Sequence, residues 1–104
     1  MKANILKTVM FSITLLFFAC GESTDVVESG TYQGTIKEVE PSKTEIYVET
    51  DDDQTLELYF SDNTELTRDG STVDFSTLEE GMRVEVDVEK EGKRLNPLAV
   101  RVLE

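Results

Sequence analysis

From Gly30 onward, apolar and polar residues alternate with a period of two, and turn-forming clusters break the alternation into short runs. Such alternation turns one side of each run toward a core and the other toward water, as in half-buried β-strands. Tyr32, Gly34 and Ile36 alternate with Gln33, Thr35 and Lys37, and Val39 closes this run before Glu40-Pro41-Ser42-Lys43. Ile46 and Val48 alternate with polar neighbours through Thr44 to Thr50, up to the turn at Asp51-Asp52-Asp53. Leu56, Leu58 and Phe60 supply a third run. These three are expected to form a meander.

The next stretch changes character. Leu66 lies in a short extended piece ending at Asp69-Gly70, a dipeptide suited to a tight turn. Val73 and Phe75 add an apolar pair. Ser76-Thr77-Leu78-Glu79 has the spacing of a capping box, with Ser76 as N-cap and Glu79 three residues on. Gly81 is placed to end that helix, so one turn is expected over Thr77 to Glu80. Met82, Val84, Val86 and Val88 then alternate with charged residues, and Leu98 to Leu103 forms the last strand, with Pro97 at its start.

Five main strands with a one-turn helix between the third and fourth predict an all-β domain. A small closed five-stranded barrel is favoured over a two-sheet sandwich, because closure removes edges that a small sheet cannot hide. The order β-β-β-α-β-β is that of the OB-fold.

The pattern before Gly30 is different. Lys2 and Lys7 precede an apolar run, Val9 to Ala19, interrupted only by Ser12 and Thr14 and closed by Cys20, the single cysteine. A spanning helix needs about 20 apolar residues, so this run is short for a permanent anchor and suits a cleavable signal. Leu16-Phe17-Phe18-Ala19-Cys20 resembles the lipobox of bacterial lipoproteins. That resemblance implies removal of residues 1–19, diacylation of the Cys20 thiol, and often acylation of the new amine. An ordinary signal peptide with an incidental cysteine, or an uncleaved helix, is the alternative. Residues 20–29 then read as a lipidated cysteine and a flexible acidic tether, and residues 30–104 as the barrel.

Cleavage leaves 85 of the 104 residues, one small domain. The formal net charge of −12 becomes −14 once Lys2 and Lys7 are removed. Nucleic-acid binding depends on Lys and Arg displacing counterions, so this surface excludes a polyanion as partner. It also disfavours lying flat on anionic lipid. Solubility and projection from the membrane are the plain consequences of such charge.

Gly34-Thr35-Ile36-Lys37-Glu38-Val39, the Asp62-Asn63-Thr64-Glu65-Leu66 turn, Leu78-Glu79-Glu80-Gly81-Met82-Arg83-Val84-Glu85-Val86 and Ala99-Val100-Arg101-Val102 together resemble a family of small OB-like domains of unknown function in bacterial secreted proteins and lipoproteins. The resemblance spans residues 30–104. It implies the fold and brings no activity, cofactor or site with it.

Candidate chemistry is sparse. Histidine is absent, and the only thiol is assigned to lipid. No nucleophile-elbow context surrounds a serine, so no catalytic residue is assigned and a non-enzyme is expected. Asp51, Asp52 and Asp53 offer clustered oxygens of the kind Ca²⁺ favours, but without the spacing of a calcium-binding loop, so a solvated hairpin tip is preferred and no cofactor is assigned. Tyr47 and Tyr59 fall out of phase with their apolar neighbours and should face outward, either as a binding face or as a cross-strand pair. The expected protein is a non-catalytic binding or interaction module of the cell envelope, held to the membrane through Cys20. By the residue after the cysteine, Gly21, the outer membrane is the expected site if the host has one. A ligand-free acidic spacer and a Ca²⁺-dependent module are the alternatives.

Overall fold

The computed structural model describes residues 24–103. The expected signal segment and Cys20 lie outside them. Seven strands form one sheet: β1 (Gly30–Glu40), β2 (Glu45–Thr50), β3 (Thr55–Tyr59), β4 (Glu65–Arg68), β5 (Ser71–Thr72), β6 (Arg83–Glu91) and β7 (Arg94–Val102). Their hydrogen-bonded order is β3-β2-β1-β6-β7-β4-β5. All pairings are antiparallel except β4 with β7. Because β3 and β4 follow one another in the chain yet lie toward opposite ends of the ladder, the sheet curls back on itself in an OB-like barrel. The five expected strands are β1, β2, β3, β6 and β7. The short β4 and β5 are additional, and the Asp69-Gly70 turn joining them has positive φ at both residues.

The inward phase of each main strand supplies the core. Ile36, Ile46, Val48, Leu56, Leu58, Val84, Val86 and Val100 are all buried, and Leu78 joins the same core. Full burial of such a side chain contributes about 1.5–3 kcal/mol before entropy is counted. The long strand β1 serves both sides of the barrel. Residues Gly30–Thr35 pair with β6 and residues Gly34–Glu40 with β2, with a register shift between Ile36 and Glu38. Gly34 sits where β1 passes closest to β2: a Cβ there would overlap the Glu49 carbonyl oxygen and lie 2.8 Å from Val48 Cγ1.

Three local expectations are corrected. The helical turn is a 3₁₀ turn over Phe75–Thr77 rather than Thr77–Glu80, and its N-cap is Asp74, not Ser76. The Asp74 carboxylate accepts from the Ser76 amide at 3.0 Å and from its hydroxyl at 2.8 Å. The earlier start lets Phe75 pack edge-on against Phe60, with ring centroids 5.0 Å apart. Gly81 does take a positive φ of 93°, and its amide donates to the Ile36 carbonyl, tying this segment to the bend of β1. The last strand begins at Arg94 rather than Leu98. Val88 pairs with Pro97 and Asp87 with Ala99, so Leu98 is extruded at a bulge, which is where a strand accommodates a proline.

The domain also begins earlier than Gly30. The Asp25 amide donates to the Thr55 carbonyl at 2.7 Å, and the Thr55 amide donates to the Asp25 carboxylate at 2.9 Å. Val27 is buried in the core, and the Ser29 hydroxyl accepts from the Lys90 amide. Residues 24–29, expected as tether, thus lie along the outer edge of β3 and across the β6–β7 hairpin.

Candidate functional site

Alternation along β2 and β3 sends Ile46, Val48, Leu56 and Leu58 inward, so Glu45, Tyr47, Glu57 and Tyr59 share the outer face. The two tyrosines are not opposite one another. Tyr47 pairs with Glu57, and Tyr59 pairs with Glu45, a diagonal arrangement in which each phenol faces an acid. Both phenols donate to the same atom, Glu57 Oε2: Tyr59 at 3.1 Å and Tyr47 at 3.4 Å. Tyr59 is 41% exposed and Tyr47 half-buried. The expected outward direction is therefore observed, with carboxylates interleaved between the rings.

Glu45 is the residue that sequence reasoning missed. It lies on the outward phase of β2 yet is fully buried, and neither carboxyl oxygen has a hydrogen-bond partner. Its neighbours across β1 are also acidic: Glu40 pairs with Glu45, and Glu38 with Tyr47. Burial, followed by the contact with Glu57, holds the Glu45 carboxyl above the usual carboxylate range, against the opposing pull of the Tyr47 and Tyr59 phenols. Glu38 is also raised, first through its contact with Glu40 and then by desolvation. Burial and the Glu45 contact push the Tyr47 phenol well up, and the hydrogen bond to Glu57, with burial, pushes Tyr59 up to about 12. The face is thus an acidic patch around two aromatic rings. Among the described residues, none of the ion pairs reaches Glu38, Glu40, Glu45 or Glu57.

Asp51, Asp52 and Asp53 occupy the β2–β3 hairpin tip. Asp51 is drawn away to Arg83, with bonds of 2.9 and 3.3 Å, and that guanidinium lowers its carboxyl. Asp53 takes a left-handed φ of 66°, while the Thr50 hydroxyl accepts from the Asp52 and Gln54 amides. The turn is held by these bonds. Among the described residues, no three acidic, histidine or cysteine side chains are grouped so as to hold a metal ion.

On the outer face of β6 and β7 the acids are paired with a base. Arg101 on β7 bonds Glu85 at 2.9 Å and Asp87 at 2.8 and 3.1 Å, and Thr31 donates to Asp87 at 2.7 Å. A cavity of about 70 Å³ lies beside the aromatic face, lined in part by Asp25, Glu57, Tyr59, Lys93 and Arg94. Another recess, about 460 Å³ and open, lies over Phe60 and Phe75.

No family model and no curated protein matches the sequence. Among solved structures, the chain is similar to Ag(I)-bound CusF, with a TM-score of 0.58 and 12% identity over 74% of this chain and all of that one. It is equally similar to CusF from Escherichia coli with Ag(I), at TM-score 0.57, 12% identity and 94% coverage of that chain. The apo form of that protein gives a TM-score of 0.55, at 12% identity and 89% coverage. At this identity the likeness establishes the fold, an OB-like barrel.

Proposed function

We propose that this chain is a lipid-anchored, extracytoplasmic module of the cell envelope, without catalytic activity, that presents the outer face of β2 and β3 to a partner. The anchor reading rests on Cys20 closing an apolar run behind two lysines. The structure adds a constraint to it. Asp25 is already bonded to β3, so only residues 21–24 separate Cys20 from packed chain. The five steps from Cys20 to Asp25 reach at most about 18 Å when fully extended. The barrel would therefore sit close to the bilayer rather than project on a long tether.

The β2–β3 face is the surface with which OB-folds commonly engage ligands. Here it carries exposed Tyr59 and half-buried Tyr47 in an acidic surround, which suits a cationic or neutral polar partner and repels an anionic one. Catalysis is disfavoured by the same geometry. The paired carboxyls Glu45 and Glu57 are the nearest approach to an acid–base couple, but a substrate cannot reach Glu45. The ions named with CusF are not carried over. Soft Ag(I) calls for thiolate, thioether or imidazole donors. This sequence has no histidine, its one cysteine is assigned to lipid, and Met82 is the only methionine after Cys20.

The test is fractionation of wild type beside Cys20→Ala, combined with a photo-crosslinking residue at Tyr59 in intact cells. Membrane-bound wild type, a soluble variant, and a discrete crosslinked product would support the proposal. A soluble wild type would remove the anchor. A membrane-bound wild type with no Tyr59 adduct would favour the alternative, an acidic spacer without a specific ligand.

A further inference from the structure

Glu45 presents a physical problem that the proposed function does not use. A carboxylate with both oxygens buried and no hydrogen bond is strongly disfavoured: the Tyr47 and Tyr59 phenols lie beside it, but both donate to Glu57 instead. Among the described residues, the elements packed around it supply no positive charge at ion-pair distance. From β1 come Glu38 and Glu40, from β2 itself Tyr47, from β3 Glu57 and Tyr59, and Glu80 lies beyond Glu38. The basic residues in ion pairs, Arg83, Lys90 and Arg101, are engaged with Asp51, Glu28, Glu85 and Asp87. Lys93 and Arg94 line the small cavity beside Glu57 and Tyr59 without forming an ion pair with Glu57.

A proton resolves the conflict with the groups already in place. Protonated Glu45 becomes a donor, and Glu57 is the acceptor within reach. Glu57 Oε2 already receives both phenols, so the acid completes a set of three donors around one carboxylate. We propose that Glu45 carries a proton at neutral pH, donated toward Glu57, and that this proton holds the Tyr47–Tyr59 face together. Losing it leaves two adjacent carboxylates across the β2–β3 ladder. β3 has no further strand beyond it and is held on that side by Asp25, so this is where repulsion opens the sheet most readily.

The folded chain holds this proton more tightly than the unfolded chain, where a glutamate titrates near about 4.3. The stabilisation from the Glu45 proton is complete below that pH and is lost as pH rises through the higher folded value. An electrostatic surface with acids paired to bases would behave oppositely.

Infrared spectroscopy of the folded protein at pH 7 tests this, because a protonated carboxyl has a C=O stretch separate from carboxylate bands. Wild type is expected to show one such band, and Glu45→Gln to lack it while keeping its circular dichroism. Glu57→Gln, which replaces the acceptor by an amide, is expected to shift the band and provides the second readout should Glu45→Gln fail to fold. No protonated-carboxyl band in wild type at pH 7, or a band unchanged in both variants, overturns the proposal. Tyrosine-sensitised terbium luminescence that disappears in Glu45→Gln, with no such band, would assign the pair to a metal cation instead and equally overturn it.

Discussion

Replacing Gly34 by alanine tests how the barrel is built, because the position fails for lack of space and not for backbone conformation. Its φ is not in the left-handed region, so alanine can adopt the local backbone. The new Cβ would overlap the Glu49 carbonyl oxygen and approach Val48 Cγ1 to 2.8 Å. Neither neighbour yields easily: the carbonyl belongs to the β1–β2 ladder, and Val48 is fully buried. Overpacking of this kind costs about 1–3 kcal/mol. Alanine recovers about 0.4–1 kcal/mol by restricting the unfolded chain, so a net loss of roughly 1–2 kcal/mol is expected. For a domain of this size each kcal/mol shifts Tm by about 4–8 °C. Thermal melting followed by circular dichroism should therefore place Gly34→Ala roughly 5–15 °C below wild type. Gly30→Ala is the internal control. Its nearest atoms to a new Cβ are in the Tyr32 side chain at 3.8 and 3.9 Å, so its midpoint should stay close to wild type. Equal midpoints for the two variants would refute the claim that β1 passes β2 at a contact only glycine fits.

The other predictions concern burial, charge and ions. Leu58→Ala, at a fully buried position, should cost about 2–5 kcal/mol in denaturant unfolding, and a loss under 1 kcal/mol would contradict the core assignment. Arg101 lowers the carboxyls of Glu85 and Asp87, so these pairs stabilise above the unfolded carboxylate range and lose that contribution as pH falls through the lowered folded values. Arg101→Gln should thus flatten the acid limb of the stability–pH curve below about pH 4, and an unchanged limb would show that the pairs contribute nothing. Millimolar Ca²⁺ should leave the melting midpoint unmoved, since Asp51 is engaged with Arg83; a rise abolished by Asp52→Asn or Asp53→Asn would restore the hairpin tip as a calcium site.

Much of the barrel was legible because alternation is a local signal. Ile46 and Val48, or Val84 and Val86, declare their inward phase without reference to any other strand. Asp69-Gly70 and Gly81 declared themselves because few residues tolerate positive φ. What escaped was set at a distance. Pro97 marked a break in the last strand, but that β7 continues past it through a bulge at Leu98 is set by its register with β6. Asp74 displaced Ser76 as cap because Phe75 packs on Phe60, fifteen residues upstream. Val27 lies in a polar, acidic stretch with no alternation to mark it, yet it is buried in the core. The site divides the same way. The outward direction of Tyr47 and Tyr59 followed from phase alone. Glu45, however, reads as one more polar position in an alternating strand. Only the cross-strand register, which sets it against Tyr59 and beside Glu40, shows that it is a buried acid.

The most direct measurement of the account as a whole is the intact mass of the protein extracted from membranes of its native host or a bacterial one. The account predicts the mass of residues 20–104 plus two or three acyl chains, with the increment located on a peptide that begins at Cys20. A soluble product with a free Cys20 thiol, or a chain that retains residues 1–19, would contradict it.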